Sequence, residues 1–167
     1  SVLTISALNT SSQVGILCFS NQKELFIQSK KGASHGYRII KNLYELNQKS
    51  KKTNISSMIK FFMNTVKKKS LVILISDFID KDYDKNMRAL TKKHDVVCLH
   101  IYDDYETNIP NLGIIELEEK ENNFRKWVNT SSSNFKKLSD NLFISKPEEL
   151  KKKMNAIGIN YLKINSK

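Results

Sequence analysis

Leu71-Val72-Ile73-Leu74-Ile75-Ser76-Asp77-Phe78 is the stretch from which the fold is read. Its aliphatic residues run without alternation, so both faces of the segment seek burial, as in the strands of a parallel sheet. The run is far shorter than the roughly 18 residues that a membrane-spanning helix needs. It is therefore predicted as a central parallel strand whose carboxyl end lies at Ser76-Asp77.

Downstream, a loop carries Asp77, Asp80, Asp82 and Asp84. Tyr83 to Lys92 then reads as a helix with Met87 and Leu90 inward, and Asp95 to Tyr102 as a second buried strand. Strand, crossover helix and strand in this order predict parallel pairing with a right-handed connection. Upstream, Ile55 to Val66 places Ile55, Met58, Ile59, Phe62, Met63 and Val66 on one helical face, closed by Lys67-Lys68-Lys69. Asn47 to Thr53 is a polar loop. Tyr37 to Leu46 shows a helical stripe of Ile39, Ile40, Leu43, Tyr44 and Leu46, after a loop at Gly32 to Gly36. Val14 to Phe19 and Leu25 to Gln28 are strands about a turn at Asn21-Gln22. Val2 to Leu8 is the end of a helix that exits at Asn9-Thr10-Ser11-Ser12.

Beyond Asp103 the pattern changes. Pro110-Asn111 introduces Leu112 to Leu117, and Phe124 to Val128 follows a polar turn at Asn122-Asn123, which together read as a β-hairpin. Asn134 to Leu142 is a short helix, capped by Ser131-Ser132-Ser133. Ser145-Lys146-Pro147-Glu148 resembles a capping box. The helix it opens ends at Gly158, and Ile159 to Ile164 is a last strand. With no linker or repeat in view, residues 1–167 are expected to form one α/β domain.

Composition narrows the classes. A chain of 167 residues with 40% apolar and 27% charged residues can bury one core, and is neither a disordered tract nor a membrane protein. No basic flank or cleavage site marks a signal peptide. Ser1 is not Met, so a fragment or processed form is expected. Cys18 and Cys98 both lie in apolar strands, which predicts buried thiols in a reducing, cytoplasmic compartment.

The formal charge is +11 and the pI about 9.6. Among the basic residues only Arg38, Arg88 and Arg125 are arginine. Lys, Asn and Ile together exceed a third of the chain, as AT-rich coding favours. Readers of base sequence prefer the bidentate fork of Arg. The lysine runs also stand at predicted element ends, where the helix dipole favours them. The excess is read as solvated surface, and the alternative is a basic nucleic-acid-binding module.

Chemistry has few footholds. No glycine-rich phosphate loop follows a strand, no nucleophile elbow is present, and His35, His94 and His100 lack metal spacing with the cysteines. Each histidine reads as surface or satisfied core. Trp127 and Phe124 read as packing rather than as a base-stacking platform. No base or nucleophile accompanies Asp77 and Asp80, so the chain is read as no enzyme. The best place for a ligand is the carboxyl edge of the parallel sheet, at Ile75-Ser76-Asp77-Phe78-Ile79-Asp80. Asp77 there either serves a ligand or caps the loop that follows.

Several segments together resemble one family. Val14-Gly15-Ile16-Leu17-Cys18-Phe19-Ser20 looks like its "VGLLLFSD" strand, Lys31-Gly32-Ala33-Ser34-His35 its "RKGRRH" turn, and Lys52-Thr53-Asn54-Ile55 its "GTDL". Leu71 to Phe78 resembles "SIVFLISDF", His94-Asp95-Val96-Val97 "RHDVVAVRV", and Trp127-Val128-Asn129-Thr130 "LVDTSD". The order fits domain-of-unknown-function family 58, von Willebrand factor A-like proteins often encoded beside MoxR-type AAA+ ATPases.

The resemblance implies a Rossmann-like von Willebrand factor A-type sandwich with a mostly parallel central sheet, plus a C-terminal hairpin and helices. It further implies a metal-ion-dependent adhesion site built on a DxSxS motif, a Thr and an Asp, suited to Mg²⁺. Thr53 matches the Thr and Asp77 the Asp, while Asn54 stands where the family commonly has Asp. Ser20, Asn54, Ser76 and Asp80 are the implied partner-binding residues. No DxSxS occurs here, so the chain is expected to be truncated at its amino end. Mg²⁺ is expected in the full-length protein and none in this chain. The implied partner is a MoxR-type AAA+ ATPase, in a non-enzymatic interaction role, with self-association through an exposed sheet edge as a further expectation.

Overall fold

A computed structural model describes residues 2–50, 52–103, 112–119, 124–141 and 146–166. They divide into two compact units, Ser1–Thr65 and Val66–Lys167.

The first unit contains α1 (Val2–Asn9), β1 (Val14–Phe19), β2 (Lys23–Lys30), α2 (Ala33–Tyr44) and α3 (Ile55–Thr65). Helix α1 stops as expected. Ser11 turns left-handed at φ 54°, and the amides of Ser11 and Ser12 return to the carbonyls of Leu8 and Ala7, both at 2.9 Å. These bonds satisfy carbonyls that a helix end otherwise leaves open. Strands β1 and β2 form an antiparallel hairpin, from Val14 opposite Lys30 to Phe19 opposite Lys23. A Cβ on Gly15 would lie 2.8 Å from both the Ile27 carbonyl oxygen and the Ser29 amide nitrogen, so glycine alone permits this approach.

The expected loop at Gly32 to Gly36 is instead the first turn of α2, which begins at Ala33. Two contacts explain it. His35 Nε2 bonds the Val14 carbonyl at 2.8 Å, and Gly36 meets Leu8, whose Cδ1 would stand 2.2 Å from an added Cβ. Gly36 is a point of contact for α1, not a helix breaker. The inward stripe also ends early: Ile39 is fully buried, but Tyr44 is 93% exposed at the helix end. In α3, Ile55 and Ile59 are buried as predicted. Phe61 adds ring contacts with Phe19 at 6.1 Å and Phe26 at 5.8 Å, which seat the helix on the hairpin.

The second unit contains β3 (Leu71–Ser76), α4 (Asp84–Thr91), β4 (Asp95–Tyr102), β5 (Ile114–Glu119), β6 (Phe124–Asn129), α5 (Ser133–Asp140), α6 (Lys146–Ala156) and β7 (Asn160–Asn165). The sheet order is β3-β4-β7, all parallel. Thus β4, not β3, is the central strand. Among the described residues β3 pairs on one side only, and Leu71, Ile73 and Ile75 stand 64%, 37% and 55% exposed. The opposite face is covered: Val96, Cys98 and His100 of β4 are buried, as are Met87 and Leu90 of α4 and Met154 of α6.

Strands β5 and β6 form the expected antiparallel hairpin, from Ile114 opposite Asn129 to Glu119 opposite Phe124. Trp127, expected to pack, is 67% exposed and lies directly opposite Glu116. Among the described residues the hairpin is a two-stranded sheet of its own. Ser132 caps α5, its Oγ accepting from the Phe135 amide at 3.2 Å. Helix α6 ends at Ala156, two residues before the expected Gly158, which takes φ 79° as the Ile159 amide returns to the Met154 carbonyl at 3.0 Å. The expected features at Pro110-Asn111, Asn122-Asn123 and Ser145 lie outside the described residues. Of the lysine runs, Lys151-Lys152-Lys153 reaches the last turn of α6 through Lys153, whereas Lys67-Lys68-Lys69 lies beyond α3, whose last turn holds no basic residue.

Candidate functional site

In the first unit the end of β1 and the start of α3 are tied together. The Asn54 amide donates to the Ser20 carbonyl at 3.2 Å. Asn54 Oδ1 accepts from the Ser57 amide at 2.7 Å, so its side chain caps α3. Thr53 precedes it and is exposed. Ser20 is buried and donates its hydroxyl to Glu24 Oε1 at 2.6 Å. The other Glu24 oxygen accepts from the Lys49 amide at 3.1 Å. The Ser20 hydroxyl, with help from the Lys49 and Ser50 amides, holds the Glu24 carboxyl below the usual carboxylate range. Ser20, Thr53 and Asn54 are thus brought together, with Ser20 engaged by Glu24. Sequence reading missed Glu24, which stands in a strand with no signal of its own.

In the second unit β3 ends in a tight turn. Ser76 Oγ accepts from the Phe78 amide at 3.1 Å, and Asp77 Oδ1 accepts from the Ile79 amide at 3.2 Å. Asp77 is exposed. Asp80 Oδ1 accepts from the Lys81 amide at 2.7 Å. Asp77 therefore shapes the loop through the Ile79 amide while the residue stays exposed. Phe78 takes φ 56°, a left-handed conformation that bulky residues avoid.

Beneath this turn lies a buried aromatic cluster. The Phe78 ring stands 5.6 Å from His100, 6.2 Å from Tyr161 and 6.4 Å from Tyr83. His100 Nδ1 is hydrogen-bonded to the Tyr161 hydroxyl. Burial, then the charge of Lys163, pushes the His100 imidazole below its usual range, and Asp77 pulls the other way. Burial raises the Tyr83 and Tyr161 hydroxyls and lifts the Cys98 thiol to about 12. Cys98 is inert packing, and both cysteines are free thiols. His35 and His100 are satisfied core histidines. Val96, Cys98 and His100 alternate along β4, and this period was the signal that could have placed His100 on the covered face.

A family model described as a protein of unknown function, DUF58, matches residues 1–142. The chain belongs to this family. No curated protein matches it. The DUF58 chain is similar in structure to the crystal structure of the conserved hypothetical protein BatB from Bacteroides thetaiotaomicron. The TM-score is 0.52 at 13% identity, covering 99% of this chain and 78% of that one. At such identity the likeness speaks for the fold alone, and that fold is the von Willebrand factor A-like α/β arrangement expected from the sequence.

Thr53 belongs to the first unit and Asp77 to the second; Mg²⁺ asks for six oxygens in near-ideal octahedral geometry. Among the described residues no three His, Cys, Asp or Glu side chains converge. Nor, among them, is any helix long and apolar enough to cross a membrane.

Proposed function

We propose that this DUF58 chain is a non-enzymatic protein-interaction domain that works in the cytoplasm with a MoxR-type AAA+ ATPase. The partner meets the carboxyl edge of the parallel sheet, at the turn formed by Ser76, Asp77 and Asp80. The observation that carries this reading is the exposed Asp77 carboxylate at the end of β3, in a turn fixed by two backbone amides. A charge held on a rigid strand end is suited to recognising a basic or hydrogen-bonding side chain of a partner with little ordering cost. Membership of the family supports it, because the sequence resemblance implies the ATPase association. In the first unit, the same proposal assigns partner contacts to Thr53, beside Ser20 and Asn54.

Calorimetric titration of the chain with a purified MoxR-type ATPase from the same genome tests the proposal. Asp77→Ala is expected to weaken binding about tenfold, the equivalent of ~1.4 kcal/mol, with circular dichroism unchanged. Unaltered affinity removes the site, and no binding by the parent chain removes the function. A parent chain that instead binds duplex DNA, with affinity falling steeply as salt rises, supports the nucleic-acid alternative.

A further inference from the structure

We propose that Phe78 is the positioning residue of the Asp77 turn: its ring, seated among Tyr83, His100 and Tyr161, sets where the Asp77 carboxylate stands. This rests on the reading that Asp77 meets the partner.

Three observations carry the inference. First, Phe78 is buried while its neighbours Asp77 and Ile79 are exposed, so the turn is anchored by one inward side chain. Second, a phenylalanine at φ 56° persists only where its surroundings determine it. Left to itself the residue would relax toward a right-handed or extended backbone. That rotation would turn the peptide carrying the Ile79 amide away from Asp77 Oδ1. Third, the rings that hold Phe78 come from separate elements: Tyr83 precedes α4, His100 lies on β4 and Tyr161 on β7. His100 and Tyr161 are joined by their hydrogen bond and by an edge contact at 5.7 Å. The turn is thereby referenced to the sheet, so that Asp77 keeps its place without a partner present.

The test compares Phe78→Ala and Phe78→Leu in the parent chain and in Asp77→Ala. Binding to the MoxR-type ATPase is measured by calorimetry, and exchange of the Ile79 amide by NMR. Phe78→Ala is expected to lose about tenfold in affinity and Phe78→Leu about threefold, whereas in Asp77→Ala either change adds less than about twofold, because the two residues act as one. The Ile79 amide should exchange faster in both variants. A folded Phe78→Ala chain that binds fully, or losses that add in the double variant, overturns the inference. So does unchanged Ile79 exchange, which reads Phe78 even when Asp77→Ala shows that Asp77 plays no part in binding. Should Phe78→Ala not fold, Phe78→Leu carries every one of these comparisons.

Discussion

The backbone amide of Asn54 donates to the carbonyl of Ser20 across 3.2 Å. Through this bond the mouth of the β1–β2 hairpin and the first turn of α3 form one piece, and Thr53 is carried with them.

Asn54 holds that piece by its side chain as well, capping α3 through the Ser57 amide. Asn54→Ala should lower stability by about 1 kcal/mol, the usual worth of a helix cap. Asn54→Asp, which keeps the accepting oxygen, should match the parent. Urea unfolding of the two variants side by side provides the check.

Gly15 lies against backbone atoms of β2, which have no freedom to withdraw. Gly15→Ala should therefore cost about 1–3 kcal/mol, as overpacking usually does, and calorimetric melting will read it. A variant as stable as the parent would mean that β1 and β2 stand further apart than described.

Tyr161→Phe removes the hydroxyl that serves His100 and leaves a buried ring nitrogen without this bond. The expected loss is about 1–3 kcal/mol, measured by thermal denaturation. The His100 ring resonances should shift with it.

Acid should destabilise the fold through two buried histidines. His94 and His100 are buried, and both titrate below the ordinary histidine value of 6.5. For each, burial is the first cause; Lys93 adds to it at His94 and Lys163 at His100, while Asp95 and Asp77 oppose. A lowered histidine means that the unfolded chain binds the proton first. Stability is therefore full above pH 6.5 and falls as pH drops through and below it, by at most about 1.4 kcal/mol per pH unit for each histidine. Denaturant midpoints between pH 8 and pH 5 check the sign. A midpoint that rises toward acid would refute it.

The parallel unit was legible because its elements obey simple periods. Met87 and Leu90 face inward on α4 at helical spacing, and β4 is a short, largely apolar run. The place of β3 was not. A run apolar on both faces says what a strand prefers, not how many neighbours it has, and among the described residues Leu71, Ile73 and Ile75 stay exposed at the edge of the sheet. Gly36 was misread because glycine in a sequence signals a stop, while its actual partner, Leu8, belongs to a different helix. At the candidate site, the end of β3 and Asp77 followed from the strand rule. The anchor beneath was hidden, since His100 and Tyr161 are 61 residues apart and nothing in composition marks a left-handed phenylalanine.

The bare aliphatic row of β3 also bears on how the molecule behaves in bulk. A particle with an oily stripe would cohere with its own kind, yet each one here carries a charge of +11. Mutual repulsion of that charge opposes such cohesion. That protection has a limited reach: its screening length shrinks from about 10 Å at 0.1 M salt to about 3 Å at 1 M. Concentrated brine should make this chain clump, and dilute buffer should redissolve it.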